Sequence, residues 1–168
     1  MNIVLIGLRG SGKTKIGRIL AEKLGWIFFD IDKEIEKQEK NTITGIVKFH
    51  SWKYFRELEK NITKKTAALD KTVISTGGGT ILYPENEKIL KKNSTIIYLH
   101  RTPDNCAKWL KKDQKRPPLT GAKTLEEEMQ TLYIQRHHIY EKNANLIFNR
   151  TEDANKDAKK IIKLLSST

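Results

Sequence analysis

The sequence predicts an α/β fold: a three-layer α/β/α arrangement around a parallel five-stranded sheet. Three observations predict it. Five short apolar runs alternate with segments of helical periodicity, the pattern of a parallel sheet covered on both faces. The first run leads directly into Gly7-Leu8-Arg9-Gly10-Ser11-Gly12-Lys13-Thr14, a match to G-x-x-x-x-G-K-[ST] between a strand and a helix. The length of 168 residues suits one domain large enough for such a sheet.

Asn2 to Ile6 is apolar and β-branched and reads as the first strand. Ile16, Ile19, Leu20 and Leu24 recur at helical spacing, so a helix runs from about Lys13 to Leu24. Trp26 to Phe29 is a second short strand ending at Asp30. Helical pattern then dominates from Asp32 to Ala68, with breaks near Asn41 and His50. Thr42 reads as an N-cap, with Ile43, Ile46 and Val47 forming one apolar face; Tyr54, Phe55, Leu58 and Ile62 form another. Thr72 to Ser75 is the third strand, followed by Gly77-Gly78-Gly79, and Pro84 suits the first turn of the next helix. Thr95 to Leu99 is the fourth strand, and Thr102 caps a helix with Pro103 at its first position. Lys112 to Lys123 is polar, contains Pro117, Pro118 and Gly121, and reads as a mobile loop. A helix from Leu125 to Tyr140, a strand at Leu146 to Phe148 and a helix from Asp153 to Leu165 complete the chain. Ligands of such a sheet bind beyond the carboxyl ends of its strands, where the glycine-rich loop lies.

Composition narrows the function classes. No apolar run is long enough to span a bilayer, and Met1 to Leu8 has no basic n-region or cleavage-like site, so neither a membrane anchor nor a signal peptide is expected. The single cysteine, Cys106, excludes an internal disulfide, fits a reducing cytoplasm and reads as a packed helix residue. The formal net charge is +12. Its lysines are scattered from Lys15 to Lys163 with no aromatic interleaving and no nucleic-acid module signature, so the charge reads as a solvated surface that also attracts anionic substrates.

The loop carries a chemical mechanism. Gly7, Gly10 and Gly12 let backbone N–H groups of the Gly10-Ser11-Gly12 run turn toward phosphate oxygens, Lys13 can reach the β- and γ-phosphates of a nucleotide, and the Thr14 hydroxyl can ligate Mg²⁺. The chain lacks the N-K-x-D motif of GTPases and is short for a motor ATPase, which leaves a small kinase. Four features agree. Asp30 and Asp32 end the second strand and point the same way; one can hold Mg²⁺ through water and the other can accept a hydroxyl proton, while Asp32, before Lys33-Glu34-Ile35, can also act as a helix N-cap. Arg56 and Glu59 share a helix face, either as an ordinary surface pair or as a guanidinium held for a planar anion. Gly77, Gly78 and Gly79 suit close backbone approach to a ligand. Arg116, in Lys115-Arg116-Pro117-Pro118-Leu119, can close over a transferring phosphate.

In their order these residues resemble shikimate kinases. The resemblance spans nearly the whole chain: the phosphate loop, Asp30-x-Asp32 with Glu34-Ile35-Glu36, Phe55-Arg56-x-x-Glu59, Ser75-Thr76-Gly77-Gly78-Gly79, Arg116-Pro117, and Arg136-x-x-x-Tyr140 with Ala144. It implies a P-loop, nucleoside monophosphate kinase-like fold as a single domain over residues 1–168. Within it, about 32–62 would be a helical substrate-binding segment and about 112–124 a mobile lid. It implies a cytoplasmic monomer that phosphorylates the 3-hydroxyl of shikimate with ATP and Mg²⁺, on the route to chorismate and the aromatic amino acids. In that reading Asp32 binds the acceptor hydroxyls and acts as base. Arg56 and Arg136 clamp the carboxylate, with Glu59 orienting Arg56. Gly77, Gly78 and Gly79 line the ring. Lys13, Thr14, Asp30 and Mg²⁺ handle the phosphates, and Arg116 arrives with the lid. Neither nucleic acid nor a membrane is an expected partner. The chain departs from the family pattern at three places: His50-Ser51-Trp52 replaces a usual Gly-Glu, Pro118 follows Pro117 where Leu is usual, and Trp109 replaces an arginine. Trp109 either stacks on adenine or packs against the sheet. A gluconate-type kinase, a nucleoside monophosphate kinase and a non-catalytic nucleotide- or nucleic-acid-binding protein are the competing readings.

Overall fold

Strand β1 (Asn2–Ile6) is buried at every residue and lies at the centre of the sheet. Continuous burial requires apolar side chains on both faces of the pleat, and the sequence supplies them. Ile3 and Leu5 point to one side; Val4 and Ile6 point to the other. The computed structural model describes residues 1–112 and 118–167. After β1 come α1 (Lys13–Leu24), β2 (Ile27–Asp30), α2 (Ile31–Glu39), α3 (Ile43–Phe49), α4 (Trp52–Thr66), β3 (Thr72–Ser75), a 3₁₀ turn (Thr80–Leu82) and α5 (Pro84–Lys91). Then follow β4 (Ser94–His100), α6 (Pro103–Leu110), α7 (Leu125–Asn143), β5 (Leu146–Asn149) and α8 (Ala154–Ser166). Among the described residues the sheet has five strands in the order β2-β3-β1-β4-β5. Every pairing is parallel, with Ile3 beside Val73, Val4 beside Ile96 and Ile97 beside Leu146. The chain builds β2 and β3 on one side of β1 and β4 and β5 on the other. The crevice at the carboxyl end of β1 is therefore the topological switch point where ligands bind in open α/β sheets.

Each face of the sheet has its own apolar layer. On one side Ile3, Leu5, Val73, Ile97 and Leu99 meet Ile16, Leu20 and Ala21 of α1 and Ala154, Ala158 and Ile161 of α8. On the other, Val4, Ile6, Ile74, Ile96 and Tyr98 meet residues of α2 to α7, including Ile35, Phe55, Ile62, Cys106, Met129 and Tyr140. The expected caps form: the Thr42 hydroxyl accepts from Gly45 N–H at 3.1 Å and that of Thr102 from Asn105 N–H at 3.3 Å. Pro84 and Pro103 begin their helices.

The expected break near Asn41 falls between α2 and α3, and the one near His50 falls where Ser51 caps α4 through Tyr54 N–H at 3.1 Å. Two expectations are corrected. Tyr54 is not on the buried face of α4; it is 37 % exposed and its hydroxyl donates to Glu39 at 3.0 Å, so Phe55, Leu58 and Ile62 carry the packing. Asp30 and Asp32 do not share a strand end: β2 stops at Asp30 and Asp32 already lies in the first turn of α2. The helix cap is Asp30 and not Asp32: the Asp30 carboxylate accepts from Lys33 N–H at 3.1 Å, which turns the chain from strand to helix one residue before α2 begins. Among the described residues no helix is long and apolar enough to cross a membrane.

Candidate active site

Two adjoining clefts open at the switch point, and Arg9, Asp32 and Ile43 border both. The larger is lined by the phosphate loop (Gly10, Gly12, Lys13, Thr14) and by Asp30, Lys33, Arg18 and Trp109. Gly7 adopts φ 139°, and a Cβ there would lie 2.8 Å from Leu99 O, so only glycine lets the loop leave β1 at this angle. The buried Lys13 ammonium donates to Gly7 O (2.9 Å) and Leu8 O (2.8 Å), which folds it back over the loop. Ser11 is buried within the loop and does not border the cleft; its N–H donates to Leu8 O at 3.2 Å. The Thr14 hydroxyl donates to Asp30 Oδ2 at 2.7 Å. A hydroxyl and a carboxylate side by side are hard oxygen donors of the kind that suits Mg²⁺, which takes few protein ligands and completes its shell with waters and phosphate oxygens. Trp109 is 44 % exposed on the wall of this cleft rather than packed against the sheet.

The second, smaller cleft is bounded by Asp32, Arg56, Arg136, Leu119, Trp52 and the run Gly77, Gly78 and Gly79. The glycines clear the space into which polar groups converge. A Cβ on Gly77 would lie 2.9 Å from Asp32 Oδ1, and one on Gly79 would lie 2.7 Å from Arg56 Nη2. One on Gly78 would lie 3.7 Å from Arg136 Nη1. The Gly78 carbonyl is fixed by the Tyr140 hydroxyl at 2.5 Å. Burial pushes the Tyr140 phenol up to about 12, with the Arg136 charge pulling against it, so Tyr140 remains a donor across the physiological range.

Arg56 and Glu59 are no surface pair. Glu59 is 0 % exposed and meets Arg56 Nη1 at 2.8 Å through Oε2, while its Oε1 accepts from the Thr80 hydroxyl at 2.7 Å. Burial raises the Glu59 pKa, whereas Arg56 and Thr80 favour its charged form. The Arg56 guanidinium also sits 5.6 Å from the Trp52 ring, 5.3 Å from Phe55 and 5.6 Å from Tyr83, an aromatic collar that fixes its plane. Hence the departure at His50-Ser51-Trp52 supplies both the cap of α4 and a wall of the cleft.

Sequence reasoning missed Arg9 and Glu128. They form a buried ion pair. Glu128 Oε1 also accepts from Leu119 N–H (2.5 Å) and Thr120 N–H (3.1 Å), which ties the phosphate loop to the segment entering α7. Arg9 occupies a variable position of its motif and Glu128 sits in the acidic run of residues 126–128. The available signal was a charge inside an otherwise small-residue loop. Arg116 and Pro117 lie outside the described residues.

Comparison with known proteins agrees with this geometry. The shikimate kinase family matches residues 9–166. The shikimate kinase of Caldicellulosiruptor saccharolyticus is 46 % identical over 134 residues, 80 % of this chain and 78 % of that protein. Shikimate kinase 2 of Photorhabdus laumondii is 37 % identical over 88 % of this chain and 85 % of its own. Among solved structures, shikimate kinase from Acinetobacter baumannii in complex with shikimate superposes with a TM-score of 0.93 at 32 % identity, covering 99 % of this chain and 93 % of that one. The Aquifex aeolicus enzyme gives 0.85 at 29 %, over 99 % and 97 %. With a phosphate loop beside a glycine-lined arginine cleft, and with likeness along almost its whole length, this chain belongs to the shikimate kinase family.

Proposed function

We propose that this protein transfers the terminal phosphoryl group of ATP to the 3-hydroxyl of shikimate. The observation that carries the reading is the junction of the two clefts. A phosphate loop faces one, Asp32 stands on the shared border, and two arginines lie across the other. A planar carboxylate suits paired guanidinium forks, so Arg56, held by Glu59, and Arg136 bind the acid group of the acceptor. That anchors the ring against Gly77, Gly78 and Gly79 and turns its hydroxyls toward Asp32. The Asp32 carboxylate accepts the hydroxyl proton as the oxygen attacks phosphorus. On nucleotide binding, Lys13 exchanges Gly7 O and Leu8 O for the β- and γ-phosphate oxygens. Thr14 and Asp30 would hold Mg²⁺, which when bound neutralises charge on the phosphates. Arg116 is assigned to the same phosphates from its Arg-Pro motif. The reading extends to a cytoplasmic monomer: the single buried cysteine supports the compartment, the dispersed lysines argue against nucleic acid, and the monomer rests on the family resemblance alone.

The test is ADP release with ATP and Mg²⁺ in the presence of shikimate, quinate, gluconate or nucleoside monophosphates. Shikimate is expected to stimulate release most. Stimulation by another acceptor with none by shikimate contradicts the assignment.

A further inference from the structure

The phosphate loop is held from behind by two arginines that the reaction itself does not use. Arg150, just past β5, donates through Nη1 to Ser11 O at 2.7 Å and through Nε to Asp157 Oδ2 at 3.2 Å. Asp157 is fully buried on α8 and also accepts from Thr151 N–H (3.1 Å) and the Thr151 hydroxyl (2.6 Å), so the guanidinium rests on a fixed carboxylate. Arg101, just past β4, repeats the arrangement one peptide earlier. Its Nη1 donates to Gly10 O at 3.0 Å, and its Nη2 pairs with both oxygens of Glu152 at 2.9 and 3.3 Å. Both arginine side chains are nearly buried.

The consequence follows from peptide geometry. A trans peptide is a rigid plane whose C=O and N–H point in opposite directions. Ser11 O and Gly12 N–H share one such plane, so a guanidinium holding the carbonyl on the protein side turns the amide to the opposite side, where Gly12 borders the larger cleft. Gly12 has φ 89°, and a Cβ on it would run into Arg150 Nη1. The positive φ requires the glycine, and a side chain here would also displace the guanidinium from Ser11 O.

We propose that Arg150 is a positioning residue for the nucleotide phosphates: it aims the Gly12 amide without touching the ligand, while Arg101 braces the neighbouring Gly10 peptide. The proposal rests on the nucleotide-binding half of the function above and is independent of which acceptor is phosphorylated. ADP binding by calorimetry therefore tests it without turnover, and a wild type that binds ADP but ignores shikimate would break only the acceptor assignment. Arg150→Met is expected to weaken ADP binding and raise the KM for ATP by about tenfold, leaving the KM for shikimate within about twofold. Arg150→Lys, which keeps one donor for Ser11 O, is expected to recover part of the loss. A folded Arg150→Met protein that binds ADP like wild type, or that loses affinity equally for both substrates, overturns the proposal. Should Arg150→Met fail to fold, Arg101→Met decides: about threefold weaker ADP binding supports it, and unchanged binding overturns it.

Discussion

Glu59 is a buried carboxylate that never reaches solvent, yet it sets the position of a guanidinium that does. Substitution by Gln keeps an acceptor for Thr80 but strips Arg56 of its countercharge, so Glu59→Gln should cost about 1–3 kcal/mol, measured by urea unfolding. It should also raise the KM for shikimate, because Arg56 loses its fixed plane. The pH dependence has a defined sign. The folded-state pKa of Glu59 is raised, so the native state takes up this proton before the unfolded chain does as pH falls. The stability of wild type relative to Glu59→Gln should therefore fall as pH rises from the ordinary carboxylate range through the raised folded value. A difference that rises with pH in that window would show that ion pairing, not burial, dominates this site. The spacing Arg56-x-x-Glu59 revealed that the two residues share a helix face. Whether that face met water or the glycine run depended on where β3 delivered Gly77, which the helix's own sequence does not contain.

Periodicity located the elements well where burial is one-sided. In α4 the apolar residues Phe55, Leu58 and Ile62 fell where the pattern put them, whereas Tyr54, one residue before Phe55, lies about 100° round the helix from that stripe and bonds Glu39 of α2 instead. Asp30 and Asp32 both border the cleft, as their spacing suggested, but not from one strand end, since the boundary between β2 and α2 falls between them and period-two reasoning does not cross it. The same distinction gives a stability contrast between helices. Ile62 of α4 is fully buried and Ile134 of α7 is 70 % exposed. Ile62→Ala should cost about 2–5 kcal/mol in denaturant unfolding, and Ile134→Ala less than about 0.5 kcal/mol. Comparable losses at both positions would mean that the exposed face of α7 is covered in solution.

At the scale of the molecule, strand order decides function: β1 with β3 on one side and β4 on the other brings the phosphate loop, the glycine run and α2 to one crevice. The fold class and the phosphate loop were readable because they are local patterns. Arg9 with Glu128, and Arg150 with Ser11, were not, because each joins residues more than a hundred positions apart and no periodicity marks such a contact. Cys106 shows what the closed fold does to a reactive group. Burial pushes its thiol up to about 11, so in the native protein it should react with a thiol reagent at pH 8 at least about a hundredfold more slowly than after unfolding. Rapid native labelling would mean that α6 opens readily. The clamp at the centre of the proposed reaction is tested most directly by comparing kcat/KM for shikimate and for its methyl ester, which keeps every ring hydroxyl but removes the carboxylate charge. Wild type should prefer the acid by about a hundredfold, and Arg136→Ala should lose most of that preference with little change in the KM for ATP. Equal use of acid and ester by the wild type would contradict a carboxylate clamp at Arg56 and Arg136.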